Sequence, residues 1–199
     1  MYGPSCSLKV QRLPFGLYLK TTSTTWHRSL ANEFAALQLQ CLSELRAIPK
    51  EVSPKYAITN VLGTACYDGR LIIGSVYDAA RGDYFGPFVD EDDFNNTLRC
   101  IPLPNVVHSS GHEIVLTHGD LNTRNIMMHN GRLSGIIDWE TCGWFPDYWD
   151  YTKAHFITML HRRWLRIVDA VLEKLGKFEA ELVVERQLCH LVVLLLKRS

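Results

Sequence analysis

The sequence predicts an α+β fold, with a small N-terminal part of two strands and one helix and a larger, mainly helical part that carries one β-hairpin. Three observations carry this prediction. Pro14-Phe15-Gly16 is a turn signal between two strand-like runs. Asn130-Gly131, between Ile126-Met127-Met128-His129 and Arg132-Leu133-Ser134-Gly135-Ile136-Ile137, is the strongest short-range signal for a two-residue hairpin. Apolar side chains recur at spacings of three, four and seven before residue 46 and again after residue 147.

In chain order, Lys9-Val10-Gln11-Arg12-Leu13 and Leu17-Tyr18-Leu19-Lys20 form the first strand pair, closed by Lys20. A helix follows from about Ser29 to Arg46, with Phe34, Leu37, Cys41, Leu42 and Leu45 on one face and Glu33 in its first turns. Residues 50–113 hold many turn formers and little sustained periodicity, so they read as mostly loop, with a short helix from about Glu91 to Cys100. The acidic cluster Asp90 to Asp93 reads as the charge preference of that helix's N-terminus and not as a metal site.

Ile114-Val115-Leu116 reads as a buried strand feeding a loop that begins at His118. From Asp147 onward the chain reads as helices. Tyr148, Tyr151, His155, Phe156 and Met159 form one stripe; Trp164, Ile167, Val168, Val171, Leu172 and Leu175 form another, stopped by Gly176; the last helix runs from about Phe178 to Leu196. These stripes read as core and not as a ligand cage.

The most specific chemistry lies in Thr117-His118-Gly119-Asp120-Leu121-Asn122-Thr123-Arg124-Asn125 and the hairpin after it. An Asp followed five residues later by an Asn is the spacing of a phosphoryl-transfer loop, in which the Asp accepts a substrate hydroxyl proton and the Asn holds magnesium. Pairing outward from Asn130-Gly131 sets His129 opposite Arg132, Met127 opposite Ser134 and Asn125 opposite Ile136. Asn125 and Asp138 then emerge at the same open end of the hairpin, two positions off direct opposition and roughly 7–8 Å apart at the backbone. Magnesium takes oxygen ligands, usually one or two carboxylates with substrate phosphates and water, so an amide carbonyl and a carboxylate here make chemical sense.

This segment resembles the aminoglycoside phosphotransferase and choline kinase group, whose catalytic loop carries Gly where protein kinases carry Arg; here it is Gly119. The aromatic run from Trp139 to Tyr151 is similar to the fungal-type branch of the group. The resemblance implies a protein-kinase-like fold, Asp120 as catalytic base, His118 as a brace for the loop, Asn125 and Asp138 as magnesium ligands, and ATP with Mg2+ as cofactors. In kinase-type folds a strand Lys pairs the nucleotide's phosphates and is oriented by a helix Glu, roles that Lys20 and Glu33 match.

The chain also departs from the family. Upstream of Lys20 there are too few residues for a strand pair with a Gly-rich loop, and after Glu33 the helix continues into Leu42-Ser43-Glu44-Leu45-Arg46-Ala47-Ile48-Pro49, which is similar to the family's first large-lobe helix. This implies a shortened small lobe, joined near residues 37–42, in a shortened variant or an incomplete gene model. The expected domains are 1–41, the residual small lobe, and 42–199, the large lobe with catalytic loop 117–125 and metal-binding hairpin 126–140. The expected function is ATP-dependent phosphorylation of a hydroxyl on a small molecule. The alternative is a catalytically impaired pseudokinase, or a truncated splice or gene-model product, that keeps only the large-lobe scaffold. Asp147 and Asp150 are candidates to border the acceptor pocket, where acidic groups would suit a cationic substrate.

Composition narrows the partners. With 199 residues, 47% of them apolar, the chain can bury a core. Its 21 basic and 21 acidic residues balance, and no basic block or acidic tail appears, which argues against nucleic acid as a partner. The six cysteines at 6, 41, 66, 100, 142 and 189 form no C-x-x-C pair, so neither zinc nor a redox motif is indicated. The run Leu191 to Leu196 is too short to span a bilayer, and a cytoplasmic protein without a membrane partner is expected.

Overall fold

The computed structural model describes residues 39–68, 84–98, 105–122, 124–129, 132–157 and 162–196. The strand pair around Pro14-Phe15-Gly16, Lys20, Glu33 and the start of the first helix lie outside the described residues. So does the Asn130-Gly131 turn.

The described chain is α+β, with five helices and three small antiparallel sheets among the described residues. The first helix, α1, is described over 39–46 and runs through residue 42 without a break. Its Leu42 is 2% exposed in the core, with Leu39 and Leu45 packed against the same cluster. Ile48-Pro49 follows, and the residue before a proline disfavours helix.

The stretch from 50 to 113, expected to be mostly loop, holds among its described residues three two-residue strands: β1 (Thr59–Asn60), β2 (Cys66–Tyr67) and β3 (Tyr84–Phe85). Strands this short leave no alternation to detect in the sequence. Helix α2 (Glu91–Leu98) then begins where Asp90 accepts a hydrogen bond from the Asp93 backbone N–H at 2.8 Å, while the Asp93 carboxylate accepts from Val89 N–H at 3.2 Å. Those reciprocal bonds satisfy helix-end donors and explain two of the four residues of the acidic cluster.

Strand β4 (Ile114–Thr117) forms where the apolar run predicts it. β5 (Ile126–His129) and β6 (Arg132–Ile136) form the expected hairpin. Its register differs from ideal pairing beyond the turn: His129 faces Arg132 and Met128 faces Leu133, but Met127 faces Gly135, not Ser134, and Ile126 faces Ile136. Ser134 is therefore an extra residue bulged out of β6.

A strand absent from the sequence reading, β7 (Gly143–Pro146), lies at the centre of the main sheet, ordered β1-β7-β4. All four of its residues are buried, so it offers no polar alternation. A Cβ on Gly143 would sit 2.5 Å from the Thr59 carbonyl oxygen, so a side chain there would disrupt the join to β1.

The helical end follows as α3 (Trp149–Ile157), α4 (Arg162–Leu172) and α5 (Glu179–Leu196). Helix α4 ends at Leu172, and a turn bridges it to Gly176, the stop that the sequence predicts. Tyr148, Tyr151 and His155 are buried, as a core stripe requires. The core centres on Phe94, which is 0% exposed and has ring centroids of Phe88, Trp149 and Phe145 at 5.2, 5.1 and 6.0 Å. No described helix is long and apolar enough to cross a membrane.

Candidate active site

Strand β4 delivers the chain from Thr117 into His118, which is fully buried. Its Nε2 lies 3.0 Å from the Ile137 carbonyl oxygen, and its Nδ1 accepts a hydrogen bond from the Asp120 backbone N–H at 3.2 Å. A donor on Nε2 and an acceptor on Nδ1 describe one neutral tautomer serving both bonds. Trp139 packs edge-on against the imidazole at 4.6 Å between ring centroids. His118 thus links the Asp120 loop to the chain just after β6.

Gly119 adopts a φ of +79°, and a Cβ there would fall 2.6 Å from the Thr141 carbonyl oxygen. Only glycine meets both demands without strain. The backbone here is held by Asp150, 0% exposed, whose carboxylate accepts from Gly119 N–H at 2.8 Å and from His118 N–H at 3.4 Å. Thr141 completes the clamp by donating its hydroxyl to the His118 carbonyl at 3.0 Å.

Asp150 is therefore buried behind the loop and does not form an acidic wall for a cationic acceptor. Asp147 corrects the same expectation differently. Its N–H bonds Glu113 O at the opposite end of the β4–β7 pair, beside a cavity of about 290 Å3 that Arg46 and Ser43 also line. Burial pushes the Asp147 carboxyl above the usual carboxylate range, against the lowering effect of His112 and Arg46.

Beyond Asp120 the loop is tightened by two asparagines. Asn122 accepts from Arg124 N–H at 2.8 Å, a local Asx turn, and donates to the Asp120 carbonyl at 3.3 Å. Asn125, 5% exposed, donates to that carbonyl at 2.9 Å and to Asp120 Oδ2 at 2.8 Å. The other carboxylate oxygen, Oδ1, is buried without a hydrogen-bond partner. A buried acceptor left open costs free energy and marks a place for a donor to arrive.

The bulge at Ser134 brings Asn125 and Asp138 closer in register than ideal pairing predicts. Ile137 N–H donates to Asn125 O at 2.9 Å, so Asp138 is one position off direct opposition to Asn125, not two. Asp138 has a φ of +68°, a left-handed conformation that costs a non-glycine residue free energy and recurs at functional sites. Its side chain is exposed, flanked by the partly exposed Ile137 and Trp139.

These residues fit a magnesium ion in chemistry. The Asn125 amide hydrogens are spent on Asp120, which leaves its carbonyl oxygen, and Asp138 adds an exposed carboxylate. Among the described residues, no three His, Cys, Asp or Glu side chains converge as a cage. Lys20 and Glu33, expected to hold nucleotide phosphates, lie outside the described residues.

Sequence reasoning missed Thr141 and Asn122 and misassigned Asp150. Asn122 carried a detectable signal, being an Asn two residues before Arg124 in a turn; nothing local distinguishes a buried Asp at a helix start from a solvated one. A family model described as the phosphotransferase enzyme family matches residues 85–184, which include the loop, the hairpin and β7. No curated protein and no solved structure matches the chain.

Proposed function

The chain belongs to the phosphotransferase enzyme family, and from that premise we propose that it transfers the γ-phosphate of ATP to a hydroxyl on a small molecule. The observation that carries this reading is the asymmetric treatment of Asp120. One carboxylate oxygen is fixed by Asn125 and the other is buried and open.

Asp120 receives the acceptor hydroxyl at Oδ1, orients it, and takes its proton there as transfer proceeds. Asn125 keeps the carboxylate from rotating, so the reacting geometry is set before substrate arrives. His118, Asp150 and Thr141 hold the loop backbone, and because they are spent on that backbone they take no proton in the reaction. Asn125 and Asp138 would hold magnesium, which supplies charge neutralisation for the transferring phosphoryl group.

Lys20 and Glu33 are the proposed phosphate-binding pair, and 1–41 and 42–199 the proposed shortened small lobe and large lobe of a kinase-like fold. We read the aromatic run after Asp138 as the mark of a fungal-type branch and the protein as cytoplasmic. A neutral charge balance supports a small-molecule partner over nucleic acid.

A thermal-shift titration with Mg-ATP tests the nucleotide part. Free nucleotide at a hundredfold its Kd stabilises by about 2.7 kcal/mol, which raises Tm by several degrees. The shift is expected to require magnesium and to shrink in Asp138→Asn. No shift in the wild-type chain would favour a scaffold that does not bind nucleotide.

A further inference from the structure

Between α2, α5 and the core ring of Tyr148, the segment 105–113 is pinned by a cluster of acids and histidines outside the proposed site. His108 is 3% exposed, and both of its ring nitrogens face carboxylates: Nδ1 lies 2.6 Å from Glu181 Oε2 and Nε2 lies 3.0 Å from Glu185 Oε2, both on α5. A neutral imidazole has one N–H and would turn a lone pair toward one of the two carboxylates. Only the imidazolium donates to both, and it also stacks on the Tyr148 ring at 4.8 Å, a favourable place for a cation.

Further carboxylates bind the same segment. Glu181 Oε1 accepts from the Ser109 hydroxyl at 2.6 Å and lies 3.5 Å from His112 Nε2. From α2, Glu91 accepts from the Gly111 and His112 backbone N–H groups and pairs with His112 Nδ1 at 2.7 Å, while Asp92 bonds Ser110. Asp147, before α3, feels the charge of His112. Among these described residues, acids outnumber cations around His108, so its proton lowers the repulsion among them.

We propose that His108 is a proton-operated latch: as imidazolium it ties segment 105–113, which leads into β4 and the Asp120 loop, to α5, and on losing its proton it lets that segment loosen. This goes beyond the phosphotransferase reading and does not depend on it. Burial alone would lower the His108 pKa, but the hydrogen bonds to Glu181 and Glu185, with their charges, outweigh it and raise it above the ordinary 6.5. The sign follows. Stability from the latch is full below the unfolded value and is lost as pH rises through the higher folded value.

The test combines an NMR titration of the His108 ring with melting curves of the full chain between about pH 6 and about pH 9, a range spanning ordinary and raised histidine values. The ring is expected to titrate above the free-histidine value. The wild-type Tm is expected to fall by roughly 4 °C or more across that titration, while His108→Gln, which keeps one amide donor at every pH, lacks the fall. Titration at or below the free value, or parallel Tm profiles in the two proteins, would overturn the latch. Should His108→Gln not fold, Glu185→Gln decides: a lower His108 titration pH supports the proposal, and an unchanged one refutes it.

Discussion

Gly119→Ala probes the packing that shapes the Asp120 loop, and its cost can be worked from the geometry. A left-handed backbone costs a residue with a Cβ roughly 1–2 kcal/mol. The new methyl would start 2.6 Å from the Thr141 carbonyl oxygen and 2.9 Å from its hydroxyl, so the gap must open toward an ordinary contact near 3.4 Å. That movement pulls on two bonds holding the loop, Gly119 N–H to Asp150 and Thr141 hydroxyl to the His118 carbonyl. A hydrogen bond to a charged group contributes about 1.5–3 kcal/mol, so the total loss is on the order of 3–5 kcal/mol. Urea unfolding of the full chain measures it, with Gly135→Ala as control. Gly135 has open space around its missing Cβ and no left-handed φ, so that change should cost less than about 1 kcal/mol. Equal losses in the two variants would refute the claim that Gly119 is required by its contact with Thr141.

Two other changes are expected to act through different causes. Asp150→Asn keeps one acceptor but turns an amide N–H2 toward backbone donors, and should destabilise by about 2–3 kcal/mol in urea; a loss under about 0.5 kcal/mol would mean that the buried carboxylate does not hold the loop. Phe94→Ala removes the ring at the centre of the aromatic cluster, with an expected loss of about 3–5 kcal/mol by the same assay, and a loss near 1 kcal/mol would place the core elsewhere.

What the sequence revealed of the site depended on how local each signal was. Asn125 and Asp138 flank one strong turn signal within fourteen residues, so their nearness in the hairpin register is legible from the sequence. The one-residue error in their register came from Ser134, because a bulge in a short strand leaves alternation on each side nearly unchanged. Strand β7 was hidden because burial on both faces removed its period, and because its partners come from residues 59 and 117 rather than from its neighbours. Asp150 reads as a candidate ligand when seen alone. Its task is visible only once α3 is packed beneath the loop, where the backbone N–H groups of His118 and Gly119 need an acceptor. His108 gave no signal either, since its two carboxylates lie 73 and 77 residues away.

In the proposed reaction Asp120 takes the proton of the acceptor hydroxyl through its open oxygen. This step is tested most directly by the rate of γ-phosphate transfer from labelled ATP, to water or to pooled hydroxyl compounds, in the wild-type protein and in Asp120→Asn. Loss of a general base removes on the order of 10²–10⁴ in rate while leaving Mg-ATP binding nearly unchanged, and this is the result expected. Equal transfer rates in two proteins that bind nucleotide alike would contradict it.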